Sequence, residues 1–292
     1  GSKEGLANLA SAITSKGDLV LVPNPSYPIH PYGFLIAGAG VRSIKMDNQE
    51  IFLRNLVNKI KQFKNKIKAI IINYPNNPTT SVVSLDFYKE LVNICYKNQI
   101  WILSDLAYAE IYFDIDPPPS ILQITKAKNI AVEFTSMSKT FNMPGWRIGF
   151  ACGNKKLISA LARIKSYLDY GAFTPIQVAA TAALNGPQDC IKEIRDIYKK
   201  RRDVLVASFK RAGWKFPPPE ATMFVWAPIP KYYSDRGSLY FSKLLLQKAG
   251  VAVSPGIGFG KYGDKNVRIS LVENEHRIRQ AAKNIKNNIR FM

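Results

Sequence analysis

Histidine and cysteine are scarce in this chain, at two and three of 292 residues. His30 and His276 stand alone. Cys95, Cys152 and Cys190 are widely spaced, odd in number and form no CxxC. A disulfide framework or zinc site is therefore excluded as the organising device, and no metal is expected. No apolar run reaches the roughly 18 residues that a membrane span needs. The opening Gly1-Ser2-Lys3-Glu4-Gly5 lacks the charged-then-apolar layout of a signal peptide. A cytoplasmic protein with no membrane partner is the expectation. Acidic residues are also few, 21 against 41 Lys and Arg, for a net charge of +20. Such an excess can mark a nucleic-acid binder. Here the basic residues are scattered, and the longest cluster, Lys199-Lys200-Arg201-Arg202, lies in a helical pattern where a solvated face accounts for it. No nucleic-acid partner is expected, although a positive field favours anionic small molecules.

What remains is ordinary globular composition, 47% hydrophobic and 21% charged. The length suits one large domain plus a smaller one. Short apolar strands at 19–23, 41–46, 68–73, 100–104, 130–135 and 148–152 alternate with helical patterns at 6–13, 51–63 and 85–96. Nearly continuous apolar strands separated by helices predict α/β architecture, with a mostly parallel central sheet flanked by helices. Long helices follow at 155–167, 174–184 and 191–212. Beyond Trp214 the pattern becomes a strand at 222–227, a helix at 239–248, a strand at 267–271 and a closing helix at 275–289. That reads as a smaller α+β C-terminal domain. The boundary is placed at Gly186-Pro187, giving domains 1–186 and 187–292.

Ligand sites in open α/β sheets form where strands end, and the polar residues of interest lie there. Ser136-Met137-Ser138-Lys139 follows one strand, with Arg147 eight residues on, inside Gly145-Trp146-Arg147-Ile148-Gly149. A lysine beside apolar Met and Phe would have a lowered pKa and be able to form a Schiff base. Arg147 and two serine hydroxyls suit a phosphate monoester. A surface lysine after a strand explains the same segment equally well. Ser-x-x-Lys also occurs in serine acyl-transfer enzymes, but their companion motifs are absent. Asn73-Tyr74-Pro75-Asn76-Asn77-Pro78-Thr79 ends another strand, where Asn-Pro alone would signal a turn. Asp105 closes the IWILS strand. It would face a buried cation, or else simply cap a helix. Pro255-Gly256-Ile257-Gly258-Phe259-Gly260 lacks the βαβ context of a dinucleotide loop and reads as a flexible loop near the substrate mouth.

Taken together, YPNNPT, SDLAY, SMSKTFNMPGWRIGF and NVRIS, in this order, resemble the class I/II aminotransferases of pyridoxal-phosphate (PLP) fold type I. The resemblance runs over essentially the whole chain. It implies pyridoxal 5'-phosphate as cofactor and Lys139 as its Schiff-base lysine and proton shuttle. Asp105 would pair with the pyridine nitrogen, Asn77 and Tyr108 with the ring hydroxyl, and Tyr27 would stack on the ring. Ser2, Lys3, Ser136, Ser138 and Arg147 would hold the phosphate, and Arg268 the substrate α-carboxylate, with Asn77 beside it. Individually Tyr27 fits a core tyrosine and Arg268 a surface arginine.

GSKEGLANL, PNPSYPIHPYG, LARIKSYLDYGAFTPIQVAA and SPGIGFGKYGD resemble more narrowly the bacterial alanine (glutamate–pyruvate) transaminases, close to LL-diaminopimelate aminotransferases. The implied reaction belongs to biosynthetic amino-acid metabolism: L-alanine plus 2-oxoglutarate gives pyruvate plus L-glutamate. LL-diaminopimelate or aspartate stands as the alternative donor. Family members carry a substantial segment ahead of GSKEG, and an N-terminal segment is expected to be missing here. A homodimer is expected if that full-length N-terminus is present, and a truncated, non-catalytic PLP-binding remnant is the further alternative.

Overall fold

The computed structural model describes residues 1–46 and 48–291. The first part of the chain forms α1 (Ser2–Ile13), β1 (Leu19–Asn24), α2 (Ile29–Ile36), β2 (Gly40–Lys45), α3 (Gln49–Phe63), β3 (Ile67–Asn73), α4 (Leu85–Lys97), β4 (Trp101–Asp105) and β5 (Ala131–Ser136). The one-turn helix α5 (Met137–Thr140) leads to β6 (Gly149–Gly153), then α6 (Lys155–Leu168), α7 (Thr174–Asn185) and α8 (Asp189–Arg211). The remainder is β7 (Phe224–Pro228), α9 (Gly237–Ala249), β8 (Ser254–Pro255), β9 (Asn266–Ser270) and α10 (Glu275–Asn288). Among the described residues no helix is long and apolar enough to cross a membrane.

The six-stranded sheet has the order β2-β1-β3-β4-β5-β6, parallel except for the last pair. Strand β3 explains why its sequence has no polar alternation. Ile70 and Ile72 pack on one face with Leu56, Phe87 and Leu91 from α3 and α4. Ala69 and Ile71 pack on the other with Leu6, Leu9 and Leu157 from α1 and α6. A strand covered on both faces is apolar along its covered stretch, here Ala69 to Ile72. Each fully buried isoleucine adds about 1.5–3 kcal/mol to the stability of that arrangement.

The helix caps account for the boundaries. Asn48, Ser84, Asn154 and Asn274 each accept a first-turn backbone N–H and start α3, α4, α6 and α10. Helix α2 has no sequence forecast, because Pro28, Pro31 and Gly33 mask its helical period. A second sheet, β7-β9-β8, is antiparallel and packs with α8, α9 and α10 around Phe209, Trp214, Phe241 and Ile285. That core also takes in Ala107, Tyr108, Ile111 and Phe113, which follow directly on β4. The chain therefore passes from the main sheet into the second core immediately after Asp105.

Because β1, β3, β4 and β5 are parallel, their C-terminal ends open on one edge. The order reverses between β1 and β3, since β2 lies outside β1 and the later strands lie on the other side. A crevice forms at such a switch point.

Candidate active site

The crevice holds a cavity of about 150 Å3. Ser2 and Lys3 reach it from α1, Tyr27 from the turn after β1, and Asn77 from the loop after β3. Asp105 reaches it from β4 and Tyr108 from the segment beyond. Ser136, Ser138, Lys139 and Arg147 come from the β5–β6 connection. Every residue expected to touch the cofactor thus lines one space. Arg268 is not part of that lining. It stands behind Asn77, which accepts a hydrogen bond from Arg268 Nη1 at 2.7 Å.

At one end the first-turn amides of α1 are open. Gly1 provides no side-chain cap, and the first N–H groups with intrahelical acceptors belong to Glu4 and Gly5. Unpaired amides and the helix dipole there favour an anion. Gly149 permits this approach, since a Cβ at that position would overlap the carbonyl of Thr135 and crowd the Ser2 amide. Ser136, Ser138 and Arg147 complete a phosphate-sized donor set. Arg147 adopts a left-handed conformation, φ 53°, and its Nη1 donates to the Pro144 carbonyl at 2.7 Å. Those features orient the guanidinium.

At the other end Asp105 is 5% exposed. Its Oδ2 lies 3.0 Å from His30 Nε2, and its Oδ1 accepts from the Ala107 amide at 3.3 Å. The register pairs Asp105 with Asn73, whose Nδ2 donates to the Asp105 carbonyl at 2.7 Å. Among the described residues no lysine or arginine makes an ion pair with Asp105. A buried carboxylate with a remaining acceptor direction suits a cationic ring nitrogen. The Asp105 carboxylate caps a turn and starts no helix.

His30 and Asn73 were not foreseen as site residues. A carboxylate only accepts, so Nε2 is the donor of this pair, and Nδ1 is the ring atom left buried without a partner. The signal for His30 was its place three residues after Tyr27, whose ring meets the imidazole edge-on at 5.9 Å. In sequence it looked like an isolated histidine.

Between the two ends lies Lys139. Burial holds its ammonium pKa below the ordinary lysine value, with Arg147 and Arg268 adding repulsion and Asp105 partly opposing them. Helix α7 supplies the apolar backing, through Ile176, Ala180 and Ala183 against Met137 and Ile148. Asn77 Nδ2 donates to Tyr108 Oη at 3.3 Å, linking that phenol to Arg268 through one carboxamide. Burial raises the Tyr108 pKa first, Asp105 adds to it, and Arg268 and the Asn77 bond lower it, so the phenol remains a protonated donor. The loop at 256–260 is pinned across the site where flexibility was expected: the Ser26 amide donates to the Phe259 carbonyl at 2.9 Å, and the Tyr262 amide to Asn24 Oδ1 at 3.2 Å.

An amine of lowered pKa, a buried carboxylate and a phosphate cradle around one crevice form a donor set for a phosphorylated heteroaromatic aldehyde, the equipment of a pyridoxal-phosphate enzyme. Comparison with known proteins gives the family. The sequence model for aminotransferase class I and II matches residues 1–285, and the chain belongs to that family. Its fold is PLP fold type I, and its cofactor is pyridoxal 5'-phosphate. The glutamate-pyruvate aminotransferase AlaC of Escherichia coli (strain K12) is 54% identical over 98% of this chain and 69% of its own length. An LL-diaminopimelate aminotransferase of Natranaerobius thermophilus is 44% identical, covering 98% of this chain and 73% of that protein. The apo structure of BacF from Bacillus subtilis superposes with a TM-score of 0.95 at 36% identity, over 100% of this chain and 74% of that one. The chain is an aminotransferase.

Proposed function

We propose that the protein moves the amino group of L-alanine to 2-oxoglutarate, with Lys139 as the residue that binds the cofactor covalently. The observation that carries this reading is that Lys139, Asp105 and Asn77 line one crevice, with Arg268 held behind Asn77 by a 2.7 Å hydrogen bond. When bound, pyridoxal 5'-phosphate supplies an aldehyde carbon for amines and a cationic ring that withdraws electrons from the bond being broken.

The chain's own residues do the rest. The lowered Lys139 pKa makes the neutral amine easier to reach than in an ordinary lysine. Its Nζ, once free, takes the proton from the substrate Cα. Arg268 holds the α-carboxylate through a bidentate pair, and Asn77 fixes the guanidinium for that task. Asp105, steadied by His30 and the Ala107 amide, keeps the ring nitrogen protonated. Tyr108 and Asn77 address the ring hydroxyl. The open amides of α1, with Ser2, Lys3, Ser136, Ser138 and Arg147, hold the phosphate, and Tyr27 covers the ring.

Similarity to AlaC supports alanine as donor. Similarity to LL-diaminopimelate aminotransferases keeps that diamino acid as the second reading. The test is spectroscopic. Protein loaded with cofactor is expected to show the visible band of a lysine-bound aldehyde. L-Alanine should bleach the band with release of pyruvate, and 2-oxoglutarate should restore it. A wild-type band indistinguishable from that of Lys139→Ala defeats the lysine assignment. Turnover of LL-diaminopimelate and none of alanine selects the second reading.

A further inference from the structure

The surroundings of Arg268 go beyond what holding a carboxylate requires. Its guanidinium carbon lies 4.1 Å from the centroid of the Phe224 ring and 4.7 Å from that of Phe259. Nη1 is taken by Asn77 at 2.7 Å, and Nη2 lies 3.4 Å from Ser254 Oγ. Phe224 belongs to β7, the strand beside Arg268, so its position follows from the sheet. Phe259 comes from the glycine loop, and its position is built separately. Its carbonyl accepts from the Ser26 amide, next to Tyr27, and its ring meets Trp226 edge-on at 5.9 Å. Gly260, at φ 123°, lies so close to the Asn24 side chain that a Cβ would overlap it. The loop is thereby held to the first core while Phe259 is delivered to an arginine of the second.

Two aromatic rings near a guanidinium contribute cation–π attraction and exclude water. They also occupy volume around its carbon. A planar carboxylate needs only the in-plane N–H edge of the fork. A tetrahedral oxyanion places further oxygens out of that plane and so needs more room beside the guanidinium than a carboxylate does.

We propose that Phe259 is a specificity-determining residue that restricts the anion bound by Arg268 to a planar carboxylate and rejects phosphonate and sulfonate analogues of the amino acid. This rests on the reading of Arg268 as the substrate anchor. Rejection here is by crowding, a negative contribution to specificity that a strong attractive site would not supply alone.

The experiment uses cofactor-loaded protein and two non-reacting probes of equal chain length, propionate and ethylphosphonate, titrated by calorimetry. The wild type is expected to prefer propionate, and Phe259→Ala to narrow that preference by about tenfold, a size typical of pocket-shape discrimination. Phe259→Tyr should keep the wild-type ratio. Phe259→Leu serves as second variant if the alanine protein loses its cofactor. Arg268→Gln is expected to abolish propionate binding. If Arg268→Gln loses propionate while the alanine and leucine variants both keep the wild-type ratio within twofold, the role of Phe259 is overturned and the anchor stands. If Arg268→Gln binds propionate like the wild type, the anchor itself falls.

Discussion

Replacing Asn77 by Asp and by Ala separates a functional carboxamide from a structural one. Asn77 is 3% exposed. Its Oδ1 takes Arg268 Nη1 at 2.7 Å, and its Nδ2 gives a hydrogen bond to Tyr108 Oη at 3.3 Å. Asn77→Ala removes a charge-assisted bond worth about 1.5–3 kcal/mol and leaves a buried phenol and guanidinium N–H without that partner. The guanidinium loses its alignment, and the KM for L-alanine should rise about tenfold, equivalent to about 1.4 kcal/mol. Asn77→Asp keeps the shape and adds a negative charge against the anchor. Two unit charges about 4 Å apart interact by roughly 4 kcal/mol at an effective dielectric constant of 20. The new carboxylate occupies Arg268 and repels the incoming one. Allowing for partial screening, the KM should rise about 100-fold, or about 2.7 kcal/mol. The isosteric change is thus predicted to be the more damaging, the reverse of what packing alone dictates. Steady-state kinetics on L-alanine, with propionate affinity as an equilibrium check, measures the order. A KM for Asn77→Asp equal to or below that of Asn77→Ala would refute the reasoning.

Removing the Lys139 amine should stabilise the cofactor-free protein, because burial depresses its folded pKa. Between that value and the ordinary 10.5 the unfolded chain binds more protons, so wild-type stability climbs as pH rises through the window. Lys139→Met, compared by urea melts at pH 7 and near pH 10.5, should gain on the order of 1 kcal/mol at the lower pH and little at the higher; an equal gain at both would count against the electrostatic cause. His30→Ala removes a buried donor from Asp105, and should cost roughly 2–4 kcal/mol of stability and weaken cofactor retention. Unchanged retention on dialysis would show that Asp105 needs no such support. Behind the sheet, buried Glu133 accepts from Ser104 Oγ at 3.1 Å, Ser120 Oγ at 2.5 Å and the Ile121 amide at 3.1 Å. Glu133→Ala orphans those donors and should cost about 3 kcal/mol, whereas Glu133→Gln, which keeps an acceptor and discards a desolvated charge, should cost less by chemical denaturation.

The four inner strands of the main sheet were legible because both faces are covered, so runs such as KAIIIN stand out without periodicity. Most of the residues expected to touch the cofactor cluster because they follow strand ends in a parallel sheet, where topology brings distant segments to one edge, whereas Ser2 and Lys3 come from α1. What escaped was set by tertiary contact. Helix α2 is interrupted by Pro31 and Gly33 and gains its order from packing, with Phe34 buried among Leu6, Leu9 and Val22. His30 and Asn73 act through hydrogen bonds to Asp105, across 75 and 32 residues of chain, which no local pattern encodes. The loop at 256–260 looked mobile from its glycines. Gly256 and Gly260 instead allow close contact, Gly256 against the Gly263 carbonyl and Gly260 against Asn24.

The passage of the chain from Asp105 straight into the second core divides the proposed chemistry between two separately packed cores. Tyr108 and Arg268 answer to the core around Phe209 and Trp214, whereas Asp105, Lys139 and most of the residues proposed to hold the phosphate belong to the main sheet and its loops. A partial melting confined to the smaller core would leave a protein that still grips its vitamin-derived group yet no longer distinguishes an amino acid from any passing amine.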